Sequence, residues 1–432
     1  MVETRDNIKC SGYEQATFTV PDVTLKEMLD VIPPHCFQRS ALRSSVYILI
    51  DLFAIGLIYK TTTLLDALLD SETLRLSSPL SFRLARLILW SVYGYGTGVF
   101  GSALWIIAHE CGHRAFSESK LICDTVGLII HTTLGVPYFS WRISHGLHHA
   151  FTGHISKDQA HVPLTRSQFG LQPLDPVQED PYGSWVTEEG KSALWEALGE
   201  APIVTAIRFA SYMLSAWPLY LLVNFHGPEH YPKGSNHFNP NAIMFKPHQY
   251  WEVVCSNVAM ALWAAGLVAW ASKYGVWEVF VLYGVPYLWI NHGIVIATSL
   301  HHTDPHLPHY REAEFTFTRG ALATYDRFMY GDNLLGRLAS YATHGISNNH
   351  VVHHVCSKIP HYHAWEASVA LRKFLRSRGI KTEGAPVNYT ETFRVWTACR
   401  FVEDDGDIVF YKNAQGIAQM RPISKEHSEV DK

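Results

Sequence analysis

An uncharged run that ends in a histidine pair constrains this chain more than any other feature. Residues Leu87 to Ile107 carry no charged side chain, and a helix needs about 20 such residues to cross a ~30 Å hydrocarbon core. The run leads into His109 and His113. Because positions i and i+4 share one helical face, both imidazoles can reach one metal ion. The sequence therefore predicts a membrane span that carries metal ligands at its end.

Two further histidine clusters repeat a His-x-x-His-His spacing, which again places the rings on one helical face. They comprise His145, His148 and His149, and then His350, His353 and His354. His302 follows another apolar run and adds a ninth candidate ligand. Nine imidazoles exceed what one ion accepts, so the sequence predicts two metal ions, with zinc, copper, iron and nickel all compatible by ligand type.

Composition agrees with a membrane protein. Of the 432 residues, 47% are hydrophobic and only 17% are charged, which is apolar for a soluble chain. The net charge of -4 and the lack of a long basic run exclude a nucleic-acid partner. The seven cysteines include no C-x-x-C pair, so neither a disulfide framework nor a zinc ribbon is indicated.

The apolar runs predict an all-α integral membrane protein with about four transmembrane helices. Besides Leu87–Ile107, the predicted spans are 45–69, 253–270 and 276–300, the first of which contains the costly charge of Asp51. If all three histidine clusters share one side of the membrane, an even number of spans must separate them. We therefore predict that 121–138 forms a re-entrant or interfacial hairpin. Residues 201–223, interrupted by Arg208 and Pro218, are predicted to be interfacial, so that interfacial helices carry a cytosolic di-metal cap.

Gly96, Gly98 and Gly101 within the uncharged run satisfy the dinucleotide-binding pattern G-x-G-x-x-G. No strand precedes them and no βαβ unit surrounds them, so we interpret the glycines as small residues that permit close helix packing.

The first cluster is also a formal H-E-x-x-H, the zinc-protease signature, with Glu110 as the general base. Zinc hydrolysis requires only three protein ligands, so the surplus of histidines argues against an intramembrane protease. An all-histidine di-metal centre beside a membrane favours oxygen chemistry on a lipid-soluble substrate. We interpret Glu110 as support for the ligands.

Several longer motifs resemble the membrane fatty-acyl desaturases, specifically the oleate (delta-12) branch of plants and fungi. The resemblance extends from about Leu87 to Leu375 and is carried by residues 108–117, 136–141, 307–310, 319–324 and 360–364. It implies a di-iron enzyme that uses dioxygen and two electrons to remove two hydrogens from adjacent methylenes. It also implies that the eight clustered histidines are catalytic iron ligands and that His302 is an isolated additional ligand.

The resemblance further implies an acyl-lipid or acyl-CoA substrate and cytochrome b5, with its reductase, as an external electron donor. It implies residence in the endoplasmic reticulum membrane with the histidines facing the cytosol. Gly146 and Leu147 depart from the family, which usually has basic or polar residues between the histidines of the second cluster. Relatives that form a triple bond, a hydroxyl or an epoxide share the same clusters, so acetylenase, hydroxylase and epoxygenase activities remain alternatives.

Outside the core of the chain, we predict a cytosolic N-terminal tail over 1–44, a membrane desaturase domain over 45–375 and a cytosolic C-terminal tail over 376–432. Within the middle region, 161–200 is polar and rich in Pro and Gly, which predicts a loop. Residues Trp365 to Leu375 predict an amphipathic helix.

Overall fold

The computed structural model of the chain describes residues 15–70, 78–175 and 201–423, together with residues 181, 182, 196 and 199. The described helices are α1 (Leu25–Asp30), α2 (Ala41–Leu69), α3 (Pro79–His113), α4 (Lys120–Thr133), α5 (Tyr138–Phe151), α6 (Pro202–Val223), α7 (Tyr250–Tyr274), α8 (Val276–His302), α9 (Phe317–Ala321), α10 (Leu334–Ala342), α11 (His350–Val355), α12 (His361–Ser377) and α13 (Tyr389–Ala398). The short strands are β1 (Ala16–Phe18), β2 (His309–Tyr310), β3 (Ile408–Val409) and β4 (Met420–Pro422).

Local signals explain where α3 begins and ends. Ser78 caps the helix by accepting a hydrogen bond from the Ser81 N–H, and proline follows as its first residue. The helix ends at Arg114, which adopts the left-handed conformation at φ 61°. Both His109 and His113 therefore lie in the last turns of a 35-residue helix, as predicted.

Glycines allow α3 to pack closely against α8. A Cβ atom added to Gly94, Gly98 or Gly101 would overlap the facing side chains of Val285, Trp289 and Ile290, respectively. The interpretation of this stretch as a packing surface is confirmed.

Four helices in the described part of the chain are long and apolar enough to cross a membrane: Ala41–Leu69, Pro202–Val223, Pro247–Tyr274 and Val276–His302. The predicted span Leu87–Ile107 lies within α3 but is less apolar than these four, because Gly, Tyr, Ser and Thr interrupt it. Helix α6 has the length and composition of a span although we predicted it to be interfacial. The membrane placement of α3 and α6 therefore stays a prediction, whereas the integral membrane class is supported.

The stretch 121–138, predicted to be a re-entrant or interfacial hairpin, contains α4 and the break before α5. The axes of α4 and α5 are bent by 106° across this break, so the chain turns sharply instead of continuing as one straight span, and its membrane placement stays a prediction. The histidines of α5 consequently lie beside those at the end of α3.

Asp51 of α2, the charge that made the first span costly, is buried and paired with His344 at 2.9 Å. The partner comes from the segment between α10 and α11, which therefore packs against α2 at this position. A protein partner for the carboxylate removes the objection to a span that starts here.

The described parts of both termini pack onto the helical core. Strand β1 pairs in parallel with β4, and β2 pairs antiparallel with β3. Glu403 is buried between Arg166 and Lys412, with oxygen–nitrogen distances of 2.7 and 2.6 Å. The predicted domain limits at 44 and 375 stay predictions. Much of the predicted loop at 161–200 and the extreme ends of both predicted tails lie outside the described residues.

Candidate metal centre

Two helical pairs of histidines form the first part of the site. The Nε2 atoms of His109 and His113 lie 3.2 Å apart at the end of α3. Those of His145 and His149 lie 3.1 Å apart on α5. His353 of α11 joins them, with its Nε2 3.1 Å from that of His149. We call these five residues the first histidine group; their ligand atoms all lie within 4.8 Å of one another.

The remaining four predicted ligands meet beside the first group. His148 and His302 have Nε2 atoms 3.3 Å apart, and with His354 they form a set within 4.8 Å. His350 adjoins this set, because its Nε2 lies 3.0 Å from that of His302 and 3.2 Å from that of His354. We call these four residues the second histidine group. The structure thus brings all nine predicted residues together.

The geometry and protonation of both groups suit metal ions. Ligand nitrogens at about 2.0–2.1 Å from an ion are separated by about 3.0–3.4 Å from each other, which matches the separations above. Burial, and secondarily the neighbouring imidazoles, lowers the pKa of His350, His353 and His354 well below the usual value. A lowered pKa favours the neutral imidazole, which has a lone pair to donate, and a cation between facing lone pairs accounts for these short nitrogen–nitrogen separations.

A carboxylate that sequence reasoning missed supports the second group. His148 Nδ1 donates to Asp158 Oδ1 at 2.7 Å, which leaves Nε2 free to bind metal. Asp158 also accepts from the Gly153 and Ala160 N–H groups at 3.1 and 3.0 Å. Its carboxylate is therefore held by the backbone. In the sequence, Asp158 stands out only because it follows the second histidine cluster closely, and no characteristic spacing identifies it as a partner of His148.

Two further histidines border the second group. The ring of His301 stacks on His350 with centroids 4.1 Å apart, while its Nδ1 donates to the Tyr325 carbonyl at 2.7 Å. The ring of His161, which has φ 57°, stacks on His302 at 5.0 Å. We predicted neither residue as part of the site.

Glu110 does not face the two histidine groups as a general base would. Its carboxylate accepts hydrogen bonds from His361, both from the backbone N–H and from Nδ1 at 2.7 Å. The Glu110 side chain is thereby committed to the start of α12. This arrangement weighs against the zinc-protease alternative and agrees with a supporting role.

Gly146, one of the two departures from the family pattern, lies on the outer surface of α5. Gly146 is exposed, and a Cβ added there would meet nothing within 4 Å. A larger residue would fit, so this position affects the outer surface of α5.

A largely apolar cavity of about 230 Å³ reaches both histidine groups. Along α3 its wall extends from Tyr95 to His109, fourteen residues or about 21 Å of helix rise. At the far end from the histidines, the Tyr95 and Tyr330 hydroxyls lie 3.4 Å apart. Next to them, His292 Nε2 lies 2.8 Å from the Tyr389 hydroxyl. We call these four residues the cavity mouth.

The cavity mouth lies where the side chains of α3 change from exposed to buried. The exposed large apolar residues of α3 occur up to Tyr95, and residues 103–111 are buried without interruption. Nearby, α10 exposes Leu334, Leu335, Leu338 and Tyr341 on one face. An amphipathic helix with an exposed apolar face is typical of a membrane interface. The end of the cavity lined by Tyr95 thus lies where α3 passes from exposed apolar surface into the helical core.

The sequence is similar to those of fatty acid desaturases and of one oleate hydroxylase. The sequence model described as "Fatty acid desaturase" matches residues 85–383. The delta(12) fatty acid desaturase of Mortierella alpina is 38% identical over 92% of each chain. The delta(12)-fatty-acid desaturase of Arabidopsis thaliana is 34% identical over 91% of this chain and 92% of its own. The oleate hydroxylase of Claviceps purpurea is 36% identical over 94% of this chain and 84% of its own.

Proposed function

The chain belongs to the fatty acid desaturase family, and we propose that it introduces a delta-12 double bond into an oleoyl-type acyl chain. The observation that carries this proposal is the cavity, which joins a largely apolar channel to both histidine groups. A chain of methylenes fits along the apolar wall of this cavity and reaches the metal-binding nitrogens.

We propose that two iron ions occupy the site. The first histidine group would hold one ion and the second group the other: His109, His113, His145, His149 and His353, and His148, His302, His350 and His354. When bound, the two ions would supply the chemistry by which dioxygen oxidises the substrate. In that reaction dioxygen, two electrons, two protons and the two hydrogens removed from the substrate give two waters.

The residues of the chain position the substrate and keep the site dry. Trp105 stacks on His109 and Trp141 stacks on His145, at centroid distances of 5.5 and 4.5 Å. Both indoles line the cavity. They fix the orientation of the ligand rings and present apolar surface to an acyl chain, so one carbon–carbon bond is held beside the metals.

We propose that the acyl chain enters from the bilayer through the cavity mouth. Tyrosine is enriched at membrane–water interfaces, and Tyr95 lies where the exposed apolar surface of α3 ends. The polar ends of His292 and Tyr389 would then lie near the ester oxygens.

Proposed partners follow from the family. The substrate is an acyl lipid in a membrane, carried either by a phospholipid or by CoA. We propose cytochrome b5, with its reductase, as the electron donor. We also propose residence in the endoplasmic reticulum, with the histidine groups on the cytosolic side.

Hydroxylation is the second candidate function, because the oleate hydroxylase of Claviceps purpurea matches most of the chain. Acetylenase and epoxygenase activities belong to the same class of alternative. The zinc-protease alternative is disfavoured, because Glu110 is bound to His361.

The test is a fatty-acid profile of a host that makes oleate but no doubly unsaturated chain. Expression of this protein should yield an octadecadienoate with its new bond at position 12, measured by mass spectrometry of derivatives. The variant His109→Ala should yield none, whereas His248→Ala, which alters an exposed histidine outside both groups, should match the parent. A hydroxylated product would favour the second candidate, and an unchanged profile with the protein present in the membrane would refute both.

A further inference from the structure

Four side chains meet on the N-terminal side of α12, outside both histidine groups. His35 and Cys36 come from the 3₁₀ helix Pro34–Phe37, and His363 and Glu366 come from the first turns of α12. One ligand atom from each of the four lies within 4.8 Å of every other. Nothing in the proposed desaturase mechanism uses them.

Local structure explains how the two pairs face each other. His363 and Glu366 are separated by three positions and so share one face of α12. Pro33 and Pro34 introduce the 3₁₀ turn, which presents two consecutive residues to that face. The Ser40 N–H donates to the Tyr362 hydroxyl at 2.9 Å, which holds the two segments together on the other side.

Four potential ligand atoms, and not just one ion pair, converge on this point. His35 Nε2 lies 2.8 Å from Glu366 Oε2 and 3.8 Å from Cys36 Sγ. Tetrahedral zinc with nitrogen, oxygen and thiolate ligands separates its ligand atoms by about 3.3–3.7 Å, so the His35–Glu366 pair would open and the His35–Cys36 pair would close slightly around an ion. An ion pair explains His35 and Glu366 alone. It does not explain why the fully buried Cys36 directs its sulfur toward the same point.

We propose that His35, Cys36, His363 and Glu366 bind one zinc ion. One thiolate, two imidazoles and one carboxylate are ligand types that zinc accepts. Four protein ligands fill a tetrahedral site, so the ion is structural and leaves no position for substrate. Binding releases the Cys36 thiol proton to solvent. The side chains of His35 and Glu366 are 48% and 55% exposed, which provides a path for the ion.

The position of this zinc site gives it a structural consequence. The segment around Cys36 packs into a buried cluster with Val352, Val355 and Leu371, which belong to α11 and α12. Helix α2 begins only four residues after the 3₁₀ helix. The ion therefore fastens the start of α2 to the helices that carry the third histidine cluster and the His361 partner of Glu110.

The first experiment measures metal content in the full-length protein purified in detergent, using inductively coupled plasma mass spectrometry. We expect about one zinc per chain in addition to iron. The variants Cys36→Ser and His363→Gln should lose at least ~80% of that zinc and retain the parent iron content. Cys356→Ser provides a matched control, since Cys356 packs against the same buried cluster but lies outside the four-residue set; it should keep its zinc.

X-ray absorption at the zinc edge supplies a measurement that needs no variant. The parent protein should show one sulfur neighbour at about 2.3 Å and nitrogen or oxygen neighbours at about 2.0–2.1 Å. Protein that neither contains zinc nor takes it up on addition would overturn the proposal. Zinc retained at parent level in the double variant Cys36→Ser/His363→Gln, or bound without sulfur, would also overturn it.

Discussion

The two histidine groups are built in different ways, although each gathers imidazole nitrogens around one point. Four of the five members of the first group are helical i, i+4 pairs, so two helices alone determine most of its geometry. The second group has only one such pair, His350 and His354. It takes its other members from two further helices and relies on Asp158 from a loop. The first group therefore depends mainly on local helix geometry, whereas the second depends on how distant segments pack.

The groups also differ in how they are linked to the rest of the fold. Helix α3 carries His109 at its end, and α8 carries His302 at its end, so the packing of these two helices sets the separation of the groups. Helix α11 contributes to both, with His353 in the first group and His350 in the second. A substitution in one group should therefore also affect the other group, and the variants below measure the size of that effect.

The largest effect is expected from His353→Ala. It removes the residue by which α11 joins the first group, so desaturation should fall by more than ~100-fold and iron content should decline. Product formation in microsomes and iron per chain are the measurements. His248→Ala is the control, and activity within threefold of the parent in His353→Ala would contradict the assignment.

Asp158→Asn should cause a smaller loss of activity than His353→Ala. The amide no longer accepts the His148 proton as strongly, so metal affinity or activity should drop by about 10–100-fold. If the proposed two iron ions bind independently, the iron content should fall toward one per chain, because only the second group loses support. Asp332→Asn alters an exposed ion pair and serves as the control. Equal activities in the two variants would show that Asp158 is dispensable.

Gly101→Val tests the packing that sets the distance between the groups. Its side chain would overlap Ile290 of α8, and overpacking of this kind costs about 1–3 kcal/mol. Thermal unfolding in detergent should occur at a lower temperature, and activity should fall in parallel. Gly56→Val, at a position with open space around it, should change neither beyond the small cost of a β-branched residue in a helix. A Gly101→Val variant as stable as Gly56→Val would mean that α3 and α8 can separate without harm.

The smallest effect is expected at the cavity mouth. Tyr389→Phe removes the hydroxyl that lies 2.8 Å from His292, and a hydrogen bond of this kind contributes about 0.5–1.5 kcal/mol, or roughly 2–10-fold. We expect a weaker apparent affinity for the acyl substrate with little change in the maximal rate. The control is Tyr274→Phe, an exposed tyrosine at the end of α7. A change in maximal rate alone would place Tyr389 outside substrate entry.

Sequence reasoning predicted the features that depend on a local pattern of residues. It predicted the amphipathic helix at 365–375, which lies within α12, and it predicted a change of direction within 121–138, where α4 ends and a 106° bend leads into α5. Its membrane assignments were less secure. Helix α3 is interrupted by small and polar residues, while α6 is apolar enough to span despite Arg208 and Pro218. Hydropathy along one helix does not reveal which of its faces is covered by protein.

Several parts of the site had no sequence signal. Asp158 and His161 lie in a polar stretch without a recognisable spacing, and the pairing of Glu110 with His361 joins positions 251 apart. The set formed by His35, Cys36, His363 and Glu366 likewise unites the two ends of the helical core. Each of these contacts depends on the mutual placement of segments that are far apart in the chain.

By itself the sequence determined that this is a helical membrane protein with nine candidate metal ligands, because apolar length and the i, i+4 relation are properties of a single helix. Only the tertiary structure decided how those ligands divide into groups of five and four, which carboxylate supports them, and which residues line the cavity that reaches them. The physical reason is that packing between helices, such as that of Gly98 against α8, brings together residues whose separation in sequence carries no information about their separation in space.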